Sequence, residues 1–298
     1  MRLLKCSDKD QTTGIFFVQF KITSNLEYRM SIKRNFFAGV DVGSLAAKSV
    51  ILEDGEIFAT GLVPSGVDSV ESGLKALNLA LETGGLKQED LAYIVGTGYG
   101  RVSAPYANKA VTEITCHAKG ANYLHPSVRT IIDMGGQDCK AIRIDQDGAV
   151  VDFAMNDKCA AGTGRFLEVM AGVFKVKLED LGALSLLATE LVPMSSTCTV
   201  FAESETISLV ARGEKPENIL NGIHHAIANR ISGLFARVGI ASDVFFSGGV
   251  AKNTGMKTAI EEALKVTIVK PEIDPQLIGA LGAAVLARSF SKKEGLWA

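Results

Sequence analysis

The chain has 298 residues, with 31 Lys and Arg against 33 Asp and Glu and a formal net charge of -2, so it lacks the cationic surplus that binds nucleic acid or an anionic membrane by charge alone. Thirty glycines and 21% charged residues describe a compact enzyme or switch rich in tight turns, not a disordered chain. Five cysteines without close, even spacing exclude a secreted disulfide framework and favour a reducing, cytoplasmic setting with small molecules or proteins as partners.

In chain order, residues 1–34 are polar and irregular around one apolar run, Gly14 to Phe20, which is too short to span a bilayer and lacks a signal-peptide cleavage site. Met30 is a candidate true start, so residues 1–34 are expected to be an extension ahead of a first lobe over 35–128 and a second over 129–298.

Phe36 to Val42 is a short apolar run carrying Asp41, followed by Gly43 and Ser44, then by Lys48 to Leu52 and an Asp54-Gly55 turn. The same pattern returns as Thr130 to Ile132, Asp133, Met134, Gly135, Gly136, Gln137 and Asp138, then Lys140 to Ile144 and Asp147-Gly148. In both copies the lysine follows the aspartate by seven positions, 41 to 48 and 133 to 140. The duplication predicts two similar α/β lobes, each opening with a β-hairpin. Each glycine turn aims backbone N–H groups at phosphate oxygens, and each aspartate at a strand end holds a hydrated magnesium ion. Two hairpins then grip one triphosphate from opposite sides.

Between the copies, Gly96, Gly98 and Gly100 alternate too closely for a dinucleotide fingerprint and read as turn geometry. The dipeptide Cys116-His117 is poor grounds for a ligand pair or a nucleophile, and Cys6, Cys116 and Cys139 read as inert thiols.

Two further cysteines stand ahead of helical patterns. Cys159 precedes Gly162-Thr163-Gly164 and the apolar periodicity of Arg165 to Phe174; Cys198 precedes a helix over Thr199 to Ala211, with Ser196, Thr197 or Thr199 as its expected cap. A helix N-terminus favours a thiolate, and thiolates ligate metals. Two are too few for tetrahedral zinc or a four-iron cluster, but a two-fold dimer supplies four. Small inert side chains remain the alternative.

Beyond Pro216, the spacing of Ile219, Ile223, Ile227, Ile231, Phe235 and Val238 predicts a long half-buried helix, on which His224 and His225 have no ligand spacing. Asp243 to Ser247 then ends in Gly248-Gly249, a turn suited to close approach of a ribose or base. Asp274-Pro275 opens a last helix, whose Gly279, Ala280, Gly282 and Ala283 give it a small-residue face.

Taken together, Gly39 to Ser44, Thr97 to Arg101, Ile132 to Asp138, Asn156 to Phe166, Ser195 to Glu205 and Gly248 to Ala251 resemble the ATP-dependent activators (component A) of 2-hydroxyacyl-CoA dehydratases, within the BadF/BadG/BcrA/BcrD ATPase family. The resemblance runs from about Phe36 to about Ala287. It implies a duplicated acetate kinase, Hsp70 and actin type (ribonuclease H-like) fold, binding ATP or ADP with Mg2+. It further implies a homodimer sharing one 4Fe-4S cluster on Cys159 and Cys198, an electron donor such as ferredoxin or flavodoxin, and a dehydratase (component D) as acceptor. By the same resemblance Asp41 and Asp133 flank the magnesium, Gln137 orients the attacking water, and Gly43, Ser44, Lys48, Gly135, Gly136, Gly248 and Gly249 hold the nucleotide. Members usually carry hydroxyl residues where this chain has Leu45 and Ala47. A benzoyl-CoA reductase-like ATPase subunit, a small-molecule kinase of the same fold and a zinc-bridged dimer are the competing expectations.

Overall fold

The computed structural model describes residues 35–156, 159–194 and 198–296. The Met30 start, Cys6 and the Ser196 and Thr197 caps fall outside the described residues.

Residues 35–298 form one compact unit built on two five-stranded sheets of the same topology. The first has the order β3-β2-β1-β4-β5, from β1 (Phe36–Val42), β2 (Ala46–Glu53), β3 (Glu56–Pro64), β4 (Leu91–Gly98) and β5 (Lys109–Ala110). The second reads β8-β7-β6-β9-β10, from β6 (Thr130–Met134), β7 (Cys139–Ile144), β8 (Val150–Asn156), β9 (Val244–Ser247) and β10 (Ile268–Val269). In each, three antiparallel strands adjoin two parallel ones. The central strands β1 and β6 are buried along their whole length, which is why they read as continuous apolar runs interrupted only by a functional aspartate.

The duplication is closer than the hairpins alone disclose. β4 ends at Gly98 and β9 runs into Gly248, both glycines with positive φ (78° and 88°), and a short 3-10 turn follows each. The Gly98 turn, legible in sequence only as turn geometry, is the first-sheet counterpart of Gly248-Gly249. Helix α1 (Ser69–Gly84) lies between β3 and β4, and α2 (Glu113–Leu124) follows β5. The corresponding gap between β8 and β9 holds four helices: α3 (Gly164–Phe174), α4 (Leu181–Ser185), α5 (Thr199–Ala211) and α6 (Pro216–Val238). Then α7 (Thr254–Leu264) separates β9 from β10, and α8 (Ile278–Lys293) follows β10 as α2 follows β5.

The small-residue face of α8 packs on β1, β4 and α2. A Cβ on Gly39 would collide with the Ala280 carbonyl, one on Gly282 with the Cys116 carbonyl, and one on Gly120 with the Ile278 carbonyl. Backbone meets backbone there, so only glycine fits. The second sheet packs α3, α6 and α7 into the largest apolar cluster, with Ile219, Ile223, Ile227, Ile231, Phe235 and Val238 all buried in it. No helix among the described residues is long and apolar enough to cross a membrane.

His224 turns into this core. Asn253, the cap of α7, sets its amide nitrogen 3.2 Å from His224 Nε2; Nδ1 lies 2.9 Å from Ser185 Oγ, which donates to the Gly182 carbonyl. Burial, aided by the charge on His225, pushes the imidazole down to about 4, so it is neutral and bridges three elements without a charge to desolvate. The unfolded chain takes up this proton near pH 6.5, the folded chain only near pH 4. Stability is therefore full above pH 6.5 and falls on acidification toward pH 4, by on the order of 3 kcal/mol from this group. Urea unfolding at pH 7 and pH 4.5 should show that loss, and His224→Gln should flatten it.

Candidate functional site

Asp41 and Asp133 sit at the ends of the two central strands and are 4% and 3% exposed. Burying a carboxylate demands a partner. The antiparallel hairpins provide one by register, because Asp41 lies opposite Lys48 and Asp133 opposite Lys140. Lys48 Nζ stands 2.9 Å from Asp41 Oδ2; Lys140 Nζ stands 3.3 Å from Asp133 Oδ2 and 2.7 Å from Asp138 Oδ2. The seven-residue spacing in the sequence is thus the span of a tight hairpin.

Burial opposes the charge on Asp133, but His117, Lys140 and the Ser247 hydroxyl outweigh it and hold the carboxyl below its usual range. Burial likewise penalises the Lys140 ammonium, and Asp133 with Asp138 overcomes that and raises it. Tyr99 donates to Asp138 Oδ2 at 2.8 Å, and burial, with that bond, pushes its phenol up to about 12.

These groups line one cavity of about 410 Å³ bounded by both sheets. Around it stand Asp41, Gly43, Ser44 and Lys48 from the first hairpin, Asp133, Gly135, Gly136, Asp138 and Lys140 from the second, and Gly248 with Gly249 from the third turn. Gln137 does not join them. The turn leaves its side chain exposed to solvent, and Asp138, the next residue, points inward to Lys140. Leu45 lines the cavity and lies against Gly136, where a Cβ would collide with it. Ala47 is buried in the core beneath β1, so a hydroxyl at that position would not face the cavity. Apolar Leu167, Leu178 and Val250 and polar Glu168, Glu179, Asn253 and Gln276 form the wall on the α3 and α7 side.

Sequence reasoning missed Tyr99, Glu113, Asp138 and His117, all of which line the same cavity. The structural repeat of Gly98 and Gly248 would have found Tyr99; His117 has no counterpart in the repeat and reaches the cavity from α2.

The cysteines are arranged differently from each other. Cys198 is itself the cap residue of α5, with no side-chain cap bond, and is exposed. No hydroxyl cap is needed to start that helix. Cys159 lies four residues before Thr163, the cap of α3. Its sulfur accepts from Arg230 Nη1 at 3.1 Å, and the same nitrogen donates to the Ala161 carbonyl at 2.9 Å. The helices they precede touch, with the Thr206 hydroxyl 3.7 Å from Met170 Sδ. Cys116 and Cys139 are buried, and burial raises both thiols, Cys116 to about 12. They are inert packing residues. Among the described residues no group of three or more His, Cys, Asp or Glu side chains could hold a metal.

Two glycine turns facing each other across one cleft, each beside a strand-end carboxylate, define a nucleotide-dependent phosphate-handling protein built by duplication. The comparisons agree: residues 38–287 match the BadF/BadG/BcrA/BcrD ATPase family, and the chain belongs to it. It is 50% identical over 257 residues to the activator of lactoyl-CoA dehydratase from Anaerotignum propionicum, covering 86% of this chain and 98% of that one. Component A of the (R)-2-hydroxyglutaryl-CoA dehydratase of Acidaminococcus fermentans superposes with a TM-score of 0.83 at 47% identity, covering 86% of this chain and 99% of that one. The activator of the 2-hydroxyisocaproyl-CoA dehydratase from Clostridium difficile, solved with ADPNP, gives 0.83 at 44% identity over 87% and 97%. The fold is therefore the duplicated actin, Hsp70 and acetate kinase type.

Among the described residues Lys140 is the one lysine or arginine within salt-bridge reach of Asp133 or Asp138. Lys140→Met would strand two buried carboxylates and should cost about 3–5 kcal/mol in urea unfolding at pH 7. The loss should shrink as acid neutralises the carboxyls.

Proposed function

We propose that this chain is an ATP-dependent reductive activator of a 2-hydroxyacyl-CoA dehydratase. In this reading it works as a cytoplasmic homodimer in which Cys159 and Cys198 of each copy bind one shared 4Fe-4S cluster, reduced by a ferredoxin or flavodoxin. The carrying observation is helix α6. At His224 it is hydrogen-bonded to Asn253 in the wall of the nucleotide cavity, and six residues on, at Arg230, it is hydrogen-bonded to Cys159. One helix thus links a residue of the cleft wall to the thiol.

The donor sets suit the groups assigned to them. Asp41 and Asp133 offer hard oxygens beside a phosphate-sized space, as a hydrated Mg2+ requires. Thiolate sulfur suits iron–sulfur chemistry, and a chain with two such thiols needs a second copy to complete four. A partner surface is available beside them: Val200, Phe201, Ile207 and Val210 on α5 are 44–68% exposed, an apolar face unusual for an isolated monomer.

When bound, the cluster supplies a single low-potential electron. The Gly43 and Gly135 N–H groups close their own turns on the Ala46 and Asp138 carbonyls, so the later N–H groups of each turn would bind the phosphates, and Asp41 with Asp133 would hold the hydrated metal. Loss of the γ-phosphate changes what the two turns grip. The sheets then change their separation, and Asn253 carries the movement through His224 to α6 and to the sulfur of Cys159. ATP supplies conformational work in this scheme, not a phosphoryl group for transfer.

Protein prepared without oxygen should show a brown visible spectrum and, once reduced, an EPR signal, with about four iron and four sulfide per dimer. Cys159→Ala and Cys198→Ala should each abolish that signal while ATP binding stays within about threefold. A colourless protein after anaerobic reconstitution, or one holding zinc alone, would refute the reading.

A further inference from the structure

The two halves of the repeat treat their aspartates unequally, and His117 is the difference. Helices α2 and α8 occupy matching places, each following the outermost parallel strand of its sheet. From α2, His117 reaches the second sheet: its Nδ1 is 3.0 Å from Ser247 Oγ and 3.4 Å from Asp133 Oδ1. From α8, Gly279 lies against Asp41, where a Cβ would stand 2.7 Å from Asp41 Oδ2. The same phantom Cβ would be 2.9 Å from His117 Nε2. The missing side chain of Gly279 leaves room for the imidazole between the two carboxylates.

The hydrogen-bond chain has one consistent direction. Ser247 Oγ lies 3.0 Å from Asp133 Oδ1 and 3.4 Å from the Ile132 carbonyl; both only accept, and the shorter contact with the charged oxygen takes the hydroxyl proton. The Ser247 oxygen then accepts from His117, which places a proton on Nδ1. Asp133 Oδ1 is held from one side by this pair while Lys140 holds Oδ2. Asp41 has Lys48 but no equivalent of the histidine–serine pair. In register the hydroxyl facing Asp41 is that of Thr97, and the hydroxyl facing Asp133 is that of Ser247. His117 is 6% exposed and lines the cavity.

We infer that His117 is a positioning residue for ATP hydrolysis: through Ser247 it fixes the orientation of Asp133, making that aspartate the rigid one of the pair and leaving Asp41 the more adjustable. The inference rests on the ATPase reading of the cleft. It also explains why α2, which packs against α8 and both sheets, meets the cavity at its first turns, where Glu113 and His117 both project into it.

The test is steady-state ATP hydrolysis by the anaerobically prepared dimer with Mg2+ in excess. His117→Phe keeps a ring and removes both nitrogens; His117→Asn keeps a donor near Nδ1. The Phe variant should lose about 100-fold in kcat with KM for ATP within about threefold, and the Asn variant should recover about tenfold of that loss. If His117→Phe does not fold by thermal melting, the Asn variant decides alone, with a kcat about tenfold below wild type at unchanged KM. A Phe variant within about threefold of wild-type kcat, an Asn variant no better than a folded Phe variant, or wild-type kcat in Asn alone overturns the inference and leaves the ATPase reading intact. Wild-type protein without any ATP turnover overturns both.

Discussion

The structure depends on a carboxylate and an ammonium meeting across a tight β-hairpin, twice. A buried aspartate at a strand end is tolerable only with its lysine opposite, and the antiparallel register delivers that lysine seven residues later. A slip of one residue would send the lysine to the other face of the sheet and leave the carboxylate unpaired. Register, burial and the charge pattern of the cleft are thus one constraint. Because each aspartate is paired with a lysine inside the protein, and Asp133 is held below the usual carboxylate range, the cleft can also admit the negative charge of a triphosphate.

From that constraint the rest of the site is ordered outward. The glycines after each aspartate let the chain reverse beside it. Gly98 and Gly248 end the neighbouring parallel strands, and each approaches its aspartate so closely that any side chain would strike it or the adjacent backbone. The helices inserted between β8 and β9 are an asymmetric addition to a symmetric scaffold, and among the described residues both exposed or partly exposed cysteines lie in that addition. The half of the molecule that carries Asp133 is therefore the half in contact with the thiols.

Much of this was legible because hairpin register and helix periodicity leave direct marks in sequence. The Asp-to-Lys spacing, the helix over Thr199 to Ala211 and the buried stripe from Ile219 to Val238 all stand where the pattern puts them. What escaped depended on proximity in space. His117 serves the cavity from a helix whose local pattern says nothing of Asp133. The Gly98 turn matched Gly248 in backbone, while only a hydroxyl followed by glycine is shared in sequence. Gln137, assigned a role only by resemblance, stands exposed outside the cavity lining, because a turn sets side-chain direction locally. Cys198, and not Thr199, stands at the cap of α5, since residue type alone does not settle which residue starts a helix.

The packing of α8 has a consequence for the order in which the chain matures. The interior faces of β1, β2 and β4 are completed by Ala280, Leu281, Ala283, Ala284 and Ala287, residues synthesised more than two hundred positions after β1. On the ribosome the first sheet would emerge with one face uncovered and remain so until residues 280–287 had been added, while the second half, whose largest apolar cluster is drawn from 132–268, could condense earlier. Although it is made first, the amino-terminal half finishes last, and exposed strands held open for that interval are what chaperones bind.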